Sequence, residues 1–178
     1  MDRKAIIQLL LFARGKSLSE NEKIPNKIHF QKEIFLLQKE TIFSKQKGYE
    51  FVPYYYGPFS RDLDSDVMEL ITQGNIDDSN GFSLTHHGFL EAGKLWKPLT
   101  EGEKLALIRV KESYNRMPTN SLLEYVYSKY KKYTCKSALM LTNIYSYFDS
   151  FAEKNNITLE YLESSFNRTR HPEDESGY

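Results

Sequence analysis

The chain has 178 residues, 40% of them hydrophobic, with 24 basic and 24 acidic side chains and so no formal net charge. That length suits one domain or two small lobes sharing a core, and the neutral balance argues against a surface built throughout to attract nucleic acid. A single cysteine, Cys135, excludes an intramolecular disulfide framework and fits a reducing compartment, so a cytoplasmic protein is expected.

The N-terminal run is too short to span a membrane and reads as an amphipathic helix from Lys4 to Ala13. Its buried face carries Ile6, Leu9, Leu10 and Ala13, and Gly15 ends it. A polar connection leads to a second helix from about Lys27 to Lys45. Phe30, Ile34, Leu37 and Thr41 form its stripe, widened by Ile28, Phe35 and Ile42. Phe51, Val52 and three consecutive tyrosines favour an extended strand, which Gly57-Pro58 stops. Ser60 is a good N-cap, Asp62 suits the first turn, and Phe59, Leu63, Val67, Leu70 and Ile71 mark one face of a third helix. Gly74 caps its C-terminus.

Ile76 and Phe82 to Leu84 flank the turn cluster Asp77 to Gly81, a small hairpin signature. Thr85 caps a helix carrying Phe89, Ala92 and Trp96, closed by Pro98. Three helices, a hairpin and a further helix is the order of a winged-helix domain, here residues 1–98. The fold class expected is therefore mainly α, a winged-helix N-terminal half followed by a helical C-terminal part. Thr100 and Glu103 have capping-box spacing before a helix carrying Leu107, Val110, Tyr114 and Met117. After Pro118, Thr119 or Asn120 starts a helix with Leu122, Val126 and Tyr130 on its face. Further helices are expected through Ala138, Leu141, Tyr145 and Phe148, and from Thr158 through Leu159, Leu162 and Phe166. Residues 99–169 then form a helical extension packed on the first domain, and 170–178 a disordered tail.

The segments His29 to Glu40 and Tyr54 to Leu63 give the chain a resemblance to the SocA-like antitoxin group, the Panacea domain, and its uncharacterised winged-helix relatives. Gln31-Lys32 followed by apolar residues, and Gly57-Pro58 ahead of the next helix, carry the likeness. Leu122 to Leu139 resembles a "YVY…YP…T…S" segment of those relatives, with Lys131 where a proline is usual. The likeness covers roughly residues 5 to 140. Tyrosines stand near the Gly-Pro step where Panacea proteins usually carry a tryptophan, and the C-terminal region differs. The resemblance implies a non-enzymatic regulator, often one that neutralises a partner protein by contact.

Thirteen tyrosines are many for this length. They indicate either a Tyr-lined core edge or a contact surface, because the ring buries while the hydroxyl stays wet. The residues expected to meet a partner are Tyr54, Tyr55, Tyr56, Gly57, Pro58 and Arg61; the alternative is that the three rings cover neighbouring helices. That partner is a protein, such as a toxin or a second copy of the chain. DNA is the alternative partner. The third helix suits it poorly, because Ser60 to Asn80 holds six acidic residues and one basic. From Lys104 to Lys136 there are eight basic residues and two acidic. Within that stretch Lys129, Tyr130, Lys131, Lys132 and Lys136 interleave charge with rings, as a nucleic-acid surface or as a solvated helix end.

His86-His87 diverge by about 100° on a helix and have no third ligand at metal spacing. Cys135 has no flagged histidine partner. No phosphate-binding Gly loop, G-x-S-x-G or zinc spacing occurs. No cofactor, metal, membrane or small-molecule substrate is expected, and an enzyme built on His86, His87 or Cys135 is the weakest alternative.

Overall fold

Two helices, α1 (Arg3–Phe12) and α2 (Lys27–Glu40), carry the packing, and each is buried along an unbroken run, Ala5 to Phe12 and His29 to Leu37. The computed structural model describes residues 2–46 and 48–134. Cys135, Lys136, the helices expected through Phe148 and from Thr158, and the tail from Arg170 lie outside the described residues. The described elements belong to one compact unit that runs to residue 137.

The amphipathic reading of α1 is corrected. It is enclosed by α3 (Arg61–Thr72), α4 (His86–Trp96) and α5 (Glu101–Tyr114), so Ile7 and Leu11, off the expected stripe, are as buried as Ile6 and Leu10. Each such aliphatic side chain gains roughly 1.5–3 kcal/mol on full burial. The helix also stops at Phe12, because the backbone turns extended at Ala13, before Gly15.

The continuous second helix to Lys45 is corrected too. Asn26 caps α2, accepting from the His29 amide, but Thr41 ends the helix with extended angles. The Thr41 hydroxyl donates to the Leu37 carbonyl at 2.6 Å and accepts from the Phe43 amide at 3.2 Å. One side chain therefore closes α2 and opens a 3-10 turn, Ile42–Lys45. Phe43 turns into the core, whereas Ile42, assigned to the buried stripe, stands 50% exposed.

The tyrosine segment differs most from expectation. It is a hairpin: β1 (Val52–Tyr54) pairs antiparallel with β2 (Gly57–Phe59), in register Val52 with Phe59, Pro53 with Pro58 and Tyr54 with Gly57. Tyr55-Tyr56 make the turn, and Gly57-Pro58 lie inside the second strand. Two prolines face each other at the centre. Neither has an N–H to donate, which suits the position where strand amides would point away from the partner strand.

Downstream, the expected mainly helical order with a small hairpin holds. Ser60 caps α3 through the Leu63 amide, and Gly74, at φ +72°, closes it. The Gly74 amide donates to Ile71 and the Asn75 amide to Leu70, a paired C-terminal cap. The hairpin β3 (Ile76–Asp77) with β4 (Ser83–Leu84) follows, then α4, capped by Thr85. Ile24, between α1 and α2, exchanges two 2.8 Å backbone bonds with Phe82 and adds a bridge to the hairpin. The Asn21 side chain binds both backbone groups of Leu84.

The Thr100–Glu103 capping box opens α5 as expected. α6 (Thr119–Lys129) starts behind Pro118, and a 3-10 turn, Lys131–Tyr133, follows. Both α5 and α6 pack on α2.

Candidate partner-binding surface

The first hairpin is held from below by α2. Gln31 bonds the Ser60 backbone twice, donating to its carbonyl at 3.1 Å and accepting from its amide at 2.9 Å. One helical turn thereby mimics a neighbouring strand. Lys32, also buried, donates from Nζ to the Pro58 carbonyl at 2.8 Å. Burial lowers the Lys32 pKa to about 7. Gln31-Lys32 and Gly57-Pro58, far apart in sequence, thus meet in space, and both pairs are buried.

This geometry sorts the six residues expected to meet a partner. Gly57 and Pro58 are buried and form the support. Gly57 has φ +81°, and a Cβ there would lie 3.0 Å from the Tyr127 ring and 3.4 Å from Lys32 Cε. Tyr54, Tyr55 and Tyr56 are 46%, 56% and 48% exposed, and Arg61 is exposed beside them. The alternative that all three rings cover helices is corrected to this extent: each is about half exposed, Tyr54 at the end of β1 and Tyr55 and Tyr56 in the turn. Tyr54 rests against Tyr55 at 4.9 Å and against Phe59 at 5.1 Å between ring centroids. The tip is thus an ordered aromatic cluster on a short, internally bonded hairpin.

The basic segment is organised differently. Lys129 Nζ lies 2.9 Å from Glu40 Oε1 and donates to the Tyr125 hydroxyl at 3.0 Å. Tyr130 donates to Glu40 Oε1 at 3.0 Å, and Tyr114 donates to Oε2 at 2.8 Å. Tyr125 contributes further bonds to both oxygens. Burial pushes the Glu40 pKa up, but the bonds from Lys129 and the three phenols outweigh it and hold it below the usual carboxylate value. The Tyr125 hydroxyl and then Glu40 raise the Lys129 pKa. Lys129 and Tyr130 are thus engaged in tying α6 to α2. Lys131 and Lys132 are exposed, with Lys132 Nζ 4.8 Å from the Tyr133 ring centroid.

The acidic third helix is also partly neutralised by its neighbours. Arg3 pairs with Asp62 and Asp66 at 2.9 and 2.7 Å, Lys4 with Glu69 at 2.6 Å, and Lys27 with Asp64 at 2.6 Å. Tyr49 donates to Asp66 as well. His86 and His87 are exposed at the start of α4. Among the described residues, no three His, Cys, Asp or Glu side chains are grouped to hold a metal ion.

Two buried ionisable residues, Glu33 and Lys111, carry no role in the sequence analysis. Glu33 is fully buried, and neither carboxyl oxygen has a hydrogen-bond partner among the described residues. Burial pushes its pKa well up, against the opposing field of Lys111. Lys111, equally buried, donates to the Leu11 and Ala13 carbonyls at 2.6 and 2.9 Å, and burial lowers its pKa to about 8. The available signal was positional: Gln31-Lys32-Glu33 interrupts the apolar run from Phe30 to Leu37, and Lys111 lies one turn from Leu107 on the buried face.

The site lies in a mainly helical protein carrying two small hairpins. Comparison with protein-family models, curated proteins and solved structures gives no match to this chain. Among the described residues no helix is long and apolar enough to cross a membrane.

Proposed function

We propose that this chain is a non-enzymatic regulatory protein that acts by binding a partner protein, in the antitoxin-like manner implied by its resemblance to the Panacea group and its winged-helix relatives, and that it works in the cytoplasm. The observation that carries the reading is the exposed Tyr54-Tyr55-Tyr56 tip on a hairpin anchored by buried Gln31 and Lys32. Tyrosine supplies large amphipathic contact area with few rotatable bonds, and a pre-ordered tip loses little entropy on docking. Exposed Arg61 beside it adds a fork of donors. DNA binding is the less favoured reading, because Lys129 and Tyr130 are already committed to Glu40.

The test is affinity capture with wild-type protein and with Tyr54→Ala, Tyr55→Ala and Tyr56→Ala chains of matched melting temperature, then titration of the purified captured protein. At least one variant is expected to lose ~2 kcal/mol, roughly thirtyfold in affinity. Capture indifferent to all three substitutions would overturn the reading. So would saturable, salt-sensitive binding to duplex DNA that Lys131→Glu with Lys132→Glu abolishes.

A further inference from the structure

A second surface lies away from the tyrosine tip. The 3-10 turn Ile42–Lys45 and one face of α5 enclose a groove of about 690 Å³. Its α5 wall runs from Gly102 through Leu105, Ala106, Arg109 and Val110 to Ser113. Those positions follow helical spacing over three turns, about 16 Å at 1.5 Å per residue. Ile42 on one side and Leu105 on the other are 50% and 46% exposed, although both are large aliphatics. The break of α2 at Thr41 is what turns Ile42 out of the core.

Two of the three charged side chains that line the groove are basic. Lys45 and Arg109 line it, both exposed, and neither has an ion-pair partner among the described residues. The acid on the wall, Glu40, is already satisfied by Lys129, Tyr114, Tyr125 and Tyr130. An occupant that covers this surface brings apolar side chains for Ile42 and Leu105, and carboxylates for Lys45 and Arg109.

We infer that this groove docks an acidic amphipathic helix of a partner protein. A trough three turns long fits a helix laid along α5, whose apolar side chains recur at i, i+3, i+4 and i+7. A second copy of the chain has no such element to offer from α3, the acidic helix. Its carboxylates Asp62, Asp64, Asp66 and Glu69 are already paired with Arg3, Lys4 and Lys27. Duplex DNA does not suit an apolar trough, because phosphate contact does nothing to cover Ile42 and Leu105. The inference is independent of the tyrosine surface.

The probe is a designed fluorescent peptide of about 14 residues, roughly four turns, with Leu at i, i+3, i+4 and i+7 and Glu elsewhere. Its control replaces every Glu with Lys. The acidic peptide should bind saturably, the basic one at least about tenfold more weakly. Arg109→Glu with Lys45→Glu should reverse that preference. Leu105→Asp should abolish binding, and Tyr55→Ala should leave it unchanged. All substituted side chains are exposed, and matched melting temperatures confirm the fold. No saturable binding up to ~1 mM would overturn the inference. Binding that ignores Arg109 and Leu105 would do so as well. So would a concentration-dependent wild-type dimer that Leu105→Asp dissolves, which would give the groove to a second copy.

Discussion

Lys32 Nζ donates to the Pro58 carbonyl at 2.8 Å, across a boundary where helix α2 meets strand β2. Pro58 opposes Pro53 in the hairpin, so its carbonyl faces outward, away from β1. Left unmatched in the core, that carbonyl would cost about 1–3 kcal/mol. The lysine satisfies it but gives up its own hydration to do so, which is why its pKa falls to about 7.

A pH signature follows. Lys32 has a pKa of about 7 in the folded chain against an ordinary 10.5, and Lys111 about 8. Between each folded value and 10.5 the unfolded chain holds more protons, so these lysines make stability rise with pH over that window. Lys32→Met removes one contribution to the rise. The melting temperature of this variant relative to wild type should become steadily less favourable between pH 7 and pH 10. A difference that stays flat across that range would show that Lys32 remains charged when folded.

Glu33 acts in the opposite direction. Its folded pKa lies well above 4.5, because burial without a partner disfavours the anion. Above pH 4.5 the unfolded chain releases a proton that the folded chain keeps, so stability falls as pH rises towards the folded pKa. Glu33→Gln cannot ionise. It should match wild type near pH 4 and exceed it by a growing margin towards pH 8 in denaturant titrations. Equal margins at the two pH values would contradict the buried, protonated state.

Gly57 should tolerate little. With φ +81° and a Cβ position 3.0 Å from the Tyr127 ring, Gly57→Val combines backbone strain with a clash. The expected cost is ~1–3 kcal/mol, read as a lower denaturant midpoint. An unchanged melting temperature would mean that the hairpin rearranges freely. Tyr55→Ala and Tyr56→Ala, at the exposed turn, should by contrast shift stability by no more than about 0.5 kcal/mol.

Glu40 joins α2 to α5 and α6 through Tyr114, Tyr125, Tyr130 and Lys129. Glu40→Gln should destabilise the chain by about 1–3 kcal/mol at pH 7, since the charge-assisted bonds are lost. The folded pKa of Glu40 is depressed, so its contribution is present above pH 4.5 and is lost as pH falls through the folded value. The gap between wild type and variant should close in acid. A gap of the same size at pH 3 and pH 7 would place the effect in packing instead.

The chain sequence by itself determined what local chemistry decides. The caps at Ser60, Thr85, Thr100 and Gly74, the turn between β3 and β4, and the chain order of helices and second hairpin all rest on residues a few positions apart. Their signals are short-range backbone bonds and helical spacing. Tertiary structure decided the rest. Whether α1 is amphipathic or enclosed depends on three other helices, not on its own pattern. Extended tyrosines become a hairpin because α2 supplies Gln31 and Lys32 to bind its far edge. Lysines that read as one basic surface divide because Glu40, about ninety residues away, claims Lys129 and Tyr130. Charge and exposure are properties of neighbours in space, and the spacing of letters records only neighbours along the chain.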